Sequence, residues 1–296
     1  MHPKQITPQD FAPVFALRKK EAHKGDFGHV LVIAGHGGVI GAGFLSSMGS
    51  LRVGAGMATY ALPQSAFDKF DPHSPEVMCV GVSDEGTGVF SQTSLADVSK
   101  LLDRKQTVVI GPGLGTEAAT KDFLKRLLPQ VTIPVVLDAD GLNCIADDVT
   151  ILSQIKAPTL ITPHPGEMAR LCGCSRDEVQ AQRSTLAAAF AKKYGVIVVL
   201  KGHDSIVASA EGETYVNPTG NPGMATAGTG DVLAGVIGGL LAQGIAPFTA
   251  ALGGVYLHGL AGDLAAQKGE RGFIASDLLV NVPAAMTKAF SEVGRE

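Results

Sequence analysis

Apolar residues fall along this chain in two rhythms. Five short runs, "HVLVIAG" (29–35), "TVVIGPG" (107–113), "PVVLDAD" (134–140), "PTLITPH" (158–164) and "GVIVVLKG" (195–202), are nearly unbroken and rich in β-branched residues. A strand needs such a run when both faces of its sheet are covered, as in a parallel sheet. Segments with helical spacing lie between and after them: "GFLSSMGSLRVGA", "EAATKDFLKRLLPQ", "DEVQAQRSTLAAAFAKKYG" and "FTAALGGVYLHGLAGDLAAQKG". The alternation predicts right-handed βαβ units and a doubly wound α/β fold, a mainly parallel sheet with helices on both faces. No repeat, charged tail or Ser/Gly linker divides residues 1–296, so one domain is expected.

Each predicted strand runs into a glycine-rich or polar segment: "GHGGVIGAG", "GPGLG", "DADGLN", "TPHPGE" and "KGHDS". Any one of these reads as a turn. Five at the same ends of parallel strands converge on one rim, and open α/β sheets bind ligands there.

A sixth segment, "GMATAGTGDVLAG" (223–235), opens an apolar helix. Between Thr214 and Gly262 its Asp231 stands without another Asp, Glu, Lys or Arg. The amides of Gly228, Thr229 and Gly230 at a helix start predict an anion hole. Two roles fit Asp231: a first-turn acid favoured by the helix dipole, or a general base beside a transferring phosphate. The same amides favour its charged form, so an ionised Asp231 is expected at neutral pH. Thr229 and Gly230 stand where a Walker A loop has Lys and Ser/Thr, and a full GxGxxG is missing, so neither of those nucleotide motifs applies.

Composition narrows the class. A net charge of −4, with no basic run longer than Arg18-Lys19-Lys20, argues against nucleic-acid and membrane-surface binding. The four cysteines, Cys79, Cys144, Cys172 and Cys174, form no CxxC pair, so reduced thiols in the cytoplasm are expected. The opening "MHPKQITPQDFAPVF" lacks the apolar core of a signal peptide, and glycines and Asp231 interrupt the longest apolar tract.

The segments "KGDFGHVLVIAG", "VIGPGLG", "VVLDADGLN", "ITPHPGE", "VVLKG" and "NPTGNPGMATAGTGDVLAG" occur in that order. Together they resemble the ADP/ATP-dependent NAD(P)H-hydrate dehydratases, which have a ribokinase-like fold. The combination of "TPHPGE" with "GNPGMATAGTGD" is the specific part. The resemblance implies repair of NADH or NADPH that has taken up water at ring position C6. ADP or ATP phosphorylates the hydroxyl, and loss of phosphate restores the double bond. It also implies Mg2+, a homotetramer, and a separate epimerase acting on the same substrate, since the residues before Lys24 are too few to encode one. ADP is the favoured donor among bacterial members. The choice between NADH and NADPH hydrate stays open.

Roles follow by the same resemblance. Asp231 is the base, with Gly230 in the anion hole. Lys201, Gly202, His203, Asp204 and Ser205 lie along the nucleotide, and Ala42, Gly113, Gly115 and His164 contact the hydrate. Asp138, Asp140 and Asn143 cluster on the same rim, with turn and cap chemistry an equal alternative. Glu167 sits where related kinases organise Mg2+, so it is expected to act on the metal through water, with phosphates as the main ligands. Two alternatives stay beside these roles: Lys201 as a solvent-facing strand-end lysine, and His164 as the cap of the following helix. The first glycine loop departs from the family pattern, carrying His36 and "GHGGVIGAG" where a serine-containing "GxSG…GAA" is expected. Two rival readings are a small-molecule kinase of the same fold and a non-catalytic nucleotide sensor.

Overall fold

The computed structural model describes residues 3–69, 75–267 and 269–293. Ten strands form one sheet: β1 (Lys4–Gln5), β2 (His29–Ile33), β3 (Met57–Pro63), β4 (Met78–Val82), β5 (Thr107–Ile110), β6 (Val135–Leu137), β7 (Thr159–Ile161), β8 (Ile197–Leu200), β9 (Ile206–Ala208) and β10 (Thr214–Val216). Their order is β1-β10-β9-β8-β7-β6-β5-β2-β3-β4. The five strands expected from the apolar runs are the contiguous centre, β8-β7-β6-β5-β2, and all four of its pairings are parallel. Among the described strands only β9 runs antiparallel to both of its neighbours.

The central strands are apolar throughout because alternate residues enter two cores. Val30, Val32, Val109, Val136, Leu160 and Val199 face one core, whereas Leu31, Ile33, Val108, Ile110, Leu137 and Leu200 face the other. The first core is covered by α1 (Gly41–Arg52), α9 (Thr229–Ala242), α10 (Pro247–Ala266) and α11 (Ala275–Val293). The second is covered by α3 (Leu95–Leu102), α4 (Ala118–Leu127), α5 (Asp140–Ile145), α6 (Pro165–Cys172), α7 (Arg176–Ala181) and α8 (Arg183–Tyr194). A short α2 (Gln64–Phe67) follows β3.

Close approach of α9 to α1 sets the position of the anion-hole segment. A Cβ on Gly235 would lie 1.9 Å from Ser46 O, and one on Gly49 would lie 2.7 Å from Val232 O. The hydroxyl of Ser46 donates to the Asp231 carbonyl at 2.8 Å. Backbone lies against backbone here, so no larger residue fits without separating the helices.

One predicted helix is two. The segment 177–195 breaks at Gln182 (φ −131°, ψ 33°), which separates α7 from α8. No Pro or Gly marks the break. It lets Arg183 turn towards the end of β8, where its guanidinium donates to Leu200 O at 3.0 Å and Lys201 O at 3.3 Å. A tertiary contact overrides local helix propensity.

Candidate active site

Because β2, β5, β6, β7 and β8 are parallel neighbours, their carboxyl ends form one rim. The β2 and β5 ends are built from backbone. His36 Nδ1 lies 2.8 Å from Gly113 O, so this nitrogen carries the proton, and Gly37 N–H donates to Gly88 O at 2.8 Å. Gly113 (φ 60°) packs on the first turn of α1, where a Cβ would stand 3.2 Å from that of Ala42. Gly115 (φ 82°) donates its N–H to Asp140 Oδ2 at 3.0 Å. Asp140 Oδ1 accepts from Asn143 Nδ2 at 3.2 Å, and Asn143 Oδ1 accepts from Arg170 at 2.9 Å. Asp140 and Asn143 thus tie the Gly115 loop to α5 and α6, and neither side chain caps α5.

The β6, β7 and β8 ends are built from charge. Lys201 Nζ lies 2.6 Å from Asp138 Oδ1 and 3.9 Å from Glu167 Oε2. The Lys201 side chain is 18% exposed, which removes the solvent-facing alternative. Burial alone would lower its pKa. The charges of Asp138, Glu167 and Asp231 outweigh that and hold the ammonium above its ordinary range. Gly202 (φ 138°) turns the chain, Ser205 Oγ closes the turn on Gly202 O at 2.9 Å, and Arg183 clamps it from beneath. His203 and Asp204 form the exposed tip and pair with each other at 3.2 Å.

His164 does cap α6. Its Nδ1 accepts from Gly166 N–H at 2.9 Å and Glu167 N–H at 3.3 Å, and Glu167 Oε2 accepts the His164 N–H at 2.7 Å. This is a reciprocal capping box. The ring remains half-exposed on the rim, so capping leaves one face available. Burial, then the Lys201 charge, lower the His164 pKa. Glu167 is itself buried, and this raises its carboxyl to about 7 despite Lys201.

The start of α9 closes the site. Gly228 (φ 90°) is its N-cap, and the first helical bond runs from Val232 N–H to Gly228 O. The amides of Thr229, Gly230 and Asp231 precede that bond and are the orphan donors of a helix start. The Thr229 hydroxyl is committed to Met224 O at 3.0 Å and Thr226 O at 3.1 Å, so Thr229 offers its amide alone. His258 Nε2 donates to Thr229 O at 2.8 Å, and burial pushes this histidine down to about 4, so it is neutral. A Cβ on Gly230 would stand 3.4 Å from Lys201 Nζ. Asp231 is half-buried, and its proton is held more tightly than the helix amides alone would predict. Burial, with Asp138 adding its charge and Lys201 opposing, raises Asp231 to about 7. Desolvation is the largest of these effects.

Two contributors gave no readable signal in the sequence. Arg183 and Thr162, whose hydroxyl donates to Asp138 at 2.7 Å, act through distant partners. His258 had a weak one, as a polar ring in an otherwise apolar helix.

A preformed cation beside open amides and a proton-accepting carboxylate suits the handling of a phosphate chain near a hydroxyl, and the strand and helix order behind it is ribokinase-like. The chain belongs to the NAD(P)H-hydrate dehydratase family, whose sequence profile matches residues 30–284. It is 42% identical over 277 residues to the bifunctional NAD(P)H-hydrate repair enzyme Nnr of Moorella thermoacetica, covering 93% of this chain and 52% of that one. The ADP-dependent (S)-NAD(P)H-hydrate dehydratase of Neisseria meningitidis is 38% identical, over 86% of this chain and 82% of its own. The chain thus spans about half the length of the bifunctional relatives it matches. Among solved structures, the ADP/ATP-dependent NAD(P)H-hydrate dehydratase of Bacillus subtilis, co-crystallised with ATP/Mg2+, superposes with a TM-score of 0.82. That protein is 27% identical, with 98% of this chain and 99% of the other covered. No described helix is long and apolar enough to cross a membrane.

Proposed function

We propose that this chain dehydrates the hydrate of NADH or NADPH at the expense of ADP, or of ATP. The carrying observation is Asp231 at the open amides of α9, next to the buried Lys201 ammonium. Asp231 takes the proton of the ring hydroxyl as its oxygen attacks the terminal phosphorus of the donor. The bond to the bridging oxygen of the donor breaks, and AMP leaves when ADP is used. The amides of Thr229, Gly230 and Asp231, with Lys201, accept the charge that spreads over the phosphoryl oxygens. The ring nitrogen lone pair then expels phosphate from C6, and loss of a proton from C5 restores the double bond. Hydroxide leaves poorly and phosphate leaves well, so the phosphoryl step converts a kinase-like site into a dehydratase.

Among the described residues no cluster of three His, Cys, Asp or Glu side chains is spaced to hold a metal ion, and Lys201 takes the ground between Asp138 and Glu167. We therefore assign Mg2+ to the donor's own phosphates, where it neutralises charge. The turn 201–205 is assigned to the nucleotide. Ala42, Gly113, Gly115 and the exposed face of His164 are assigned to the hydrate. Residues 1–296 are read as one dehydratase domain, and the epimerase implied by the resemblance is assigned to other polypeptide sequence.

The test incubates purified protein with NADH hydrate, Mg2+ and ADP or ATP. Recovery of dihydronicotinamide absorbance with release of AMP and phosphate is expected from ADP. A stable phosphorylated product would replace this reading with an ordinary kinase. Binding of nucleotide without turnover would replace it with a sensor.

A further inference from the structure

Three features around Asp138 are left unused by the roles above. Its side chain is 1% exposed, yet Oδ2 has no hydrogen-bond partner among the described residues, while Oδ1 accepts from both Lys201 Nζ and Thr162 Oγ1. The next residue, Ala139, is held at φ 49° and ψ −120°, where a residue with a Cβ is strained. Lys201 leaves the end of β8 and passes the end of β7 to reach this carboxylate at the end of β6.

A lysine ammonium on a four-carbon stem turns to water unless something holds it. Asp138 is itself held, because Thr162 donates to the same oxygen that receives Lys201 and so fixes its direction. Glu167, at 3.9 Å, is a weaker anchor whose Oε2 already accepts the His164 N–H. The backbone at Ala139 turns two neighbouring carboxylates to different duties: Asp138 to Lys201, and Asp140 to the Gly115 loop.

We propose that Asp138 is a positioning residue that pins the Lys201 ammonium beside the open amides of α9, preassembling a cation-and-amide cradle for the phosphates of a nucleoside diphosphate. Preassembly removes the ordering of a flexible side chain from the act of binding. This rests on the nucleotide reading of the site and extends it to a residue that touches no ligand. The unpartnered Oδ2 fits the same account, since the local geometry serves the position of Lys201 at the expense of its own hydrogen bonding.

Isothermal titration of ADP with Mg2+ into wild type, Asp138→Asn, Lys201→Met and the double variant tests it. Each single change is expected to weaken binding by about tenfold or more. If Asp138 acts through Lys201, the double variant binds no more weakly than Lys201→Met alone. Fold-changes that multiply would overturn the proposal, as would an Asp138→Asn protein that melts earlier but binds ADP like wild type. Should Asp138→Asn fail to fold, Asp138→Glu carries the same cycle: it keeps the charge and displaces it by one methylene, and weakened binding is again expected only while Lys201 is present. These readings need no hydrate. Intact coupling in a protein that leaves NADH hydrate unchanged would sink the dehydratase reading and leave this one, whereas a wild type that fails to bind ADP would sink both.

Discussion

The two halves of the rim are built on opposite principles. Where β6, β7 and β8 end, Asp138, Glu167 and Lys201 are packed into a nearly dry charge network. Where β2 and β5 end, the surface is made of Gly113, Gly115 and Ala42, held by main-chain groups, the His36 ring and the Asp140 carboxylate. A phosphate chain calls for fixed opposite charge, which a low-dielectric setting strengthens. A flat ring and its sugar call for shape, which backbone without side chains supplies. The charged half should therefore fail when a charge is removed, and the glycine half when a methyl is added.

The largest effect is expected at Asp231, where the halves meet. Asp231→Asn retains a first-turn polar group but cannot accept the hydroxyl proton, so kcat should fall by about 10² to 10⁴ with the ADP Kd little changed. Stability should move in the other direction. The folded protein keeps a proton on Asp231 up to about pH 7, whereas the unfolded chain loses it near the ordinary value of 3.8. That contribution is full below about pH 4 and is lost as pH rises through 7. The Asn variant should thus melt with wild type near pH 4 and above it near pH 8. The gain should be about 1–2 kcal/mol, reduced from the full shift because the side chain is partly exposed to solvent. Equal activity would return Asp231 to a helix cap, and a stability gain at acid pH would contradict the sign. The same titration predicts that kcat/KM in wild type rises with pH through about 7.

Next in size is a test of the glycine half. In Gly113→Ala the new methyl would stand 2.8 Å from Val39 Cγ1 and 3.1 Å from Val39 O, at a φ of 60° that disfavours alanine. The Val39 side chain or the loop itself must shift. An increase in KM for the hydrate of about tenfold, with donor KM unchanged, is expected from steady-state kinetics, on the scale of a displaced binding surface. A matching rise in donor KM would show that the two halves are not separable.

What the sequence made legible follows from range. The central strands were readable because burial on both faces leaves unbroken apolar runs, and their parallel order placed all five motifs on one rim. The outer strands were not. In β3 (Met57–Pro63) a threonine and a tyrosine interrupt the pattern, and β9 and β10 are three residues each, too short for a period to emerge. The Asp231 motif was visible as a lone charge, but its proton affinity depends on burial and on Asp138, which only the folded chain supplies. Asp138 and Lys201 are 63 positions apart and meet because β7 alone lies between their strands. The break at Gln182 is likewise invisible locally, because its cause is the contact of Arg183 with β8.

His164 tests whether one residue serves both halves. His164→Ala removes the acceptor for two α6 amides, which should lower stability by about 1 kcal/mol and raise the hydrate KM. His164→Asn can still cap α6, so it should recover the melting temperature without recovering the hydrate KM. Recovery of both in the Asn variant would reduce His164 to a cap.

The last effect is expected at the junction of the halves, and its sign is the informative part. Ala139 stands at φ 49° and ψ −120°, where only glycine is at ease. Alanine to glycine normally destabilises by loosening the unfolded chain, by about 0.4–1 kcal/mol. Strain of this kind is worth about 1–3 kcal/mol. Relief should win, so Ala139→Gly is expected to be more stable than wild type by up to about 1–2 kcal/mol in urea unfolding. Its m-value should be unchanged. The gain should come at some cost to ADP affinity, because a freer backbone directs Asp138 at Lys201 less firmly. A destabilised Ala139→Gly with normal ADP binding would mean that the backbone here is not strained, and that the two aspartates are aimed by their hydrogen bonds alone.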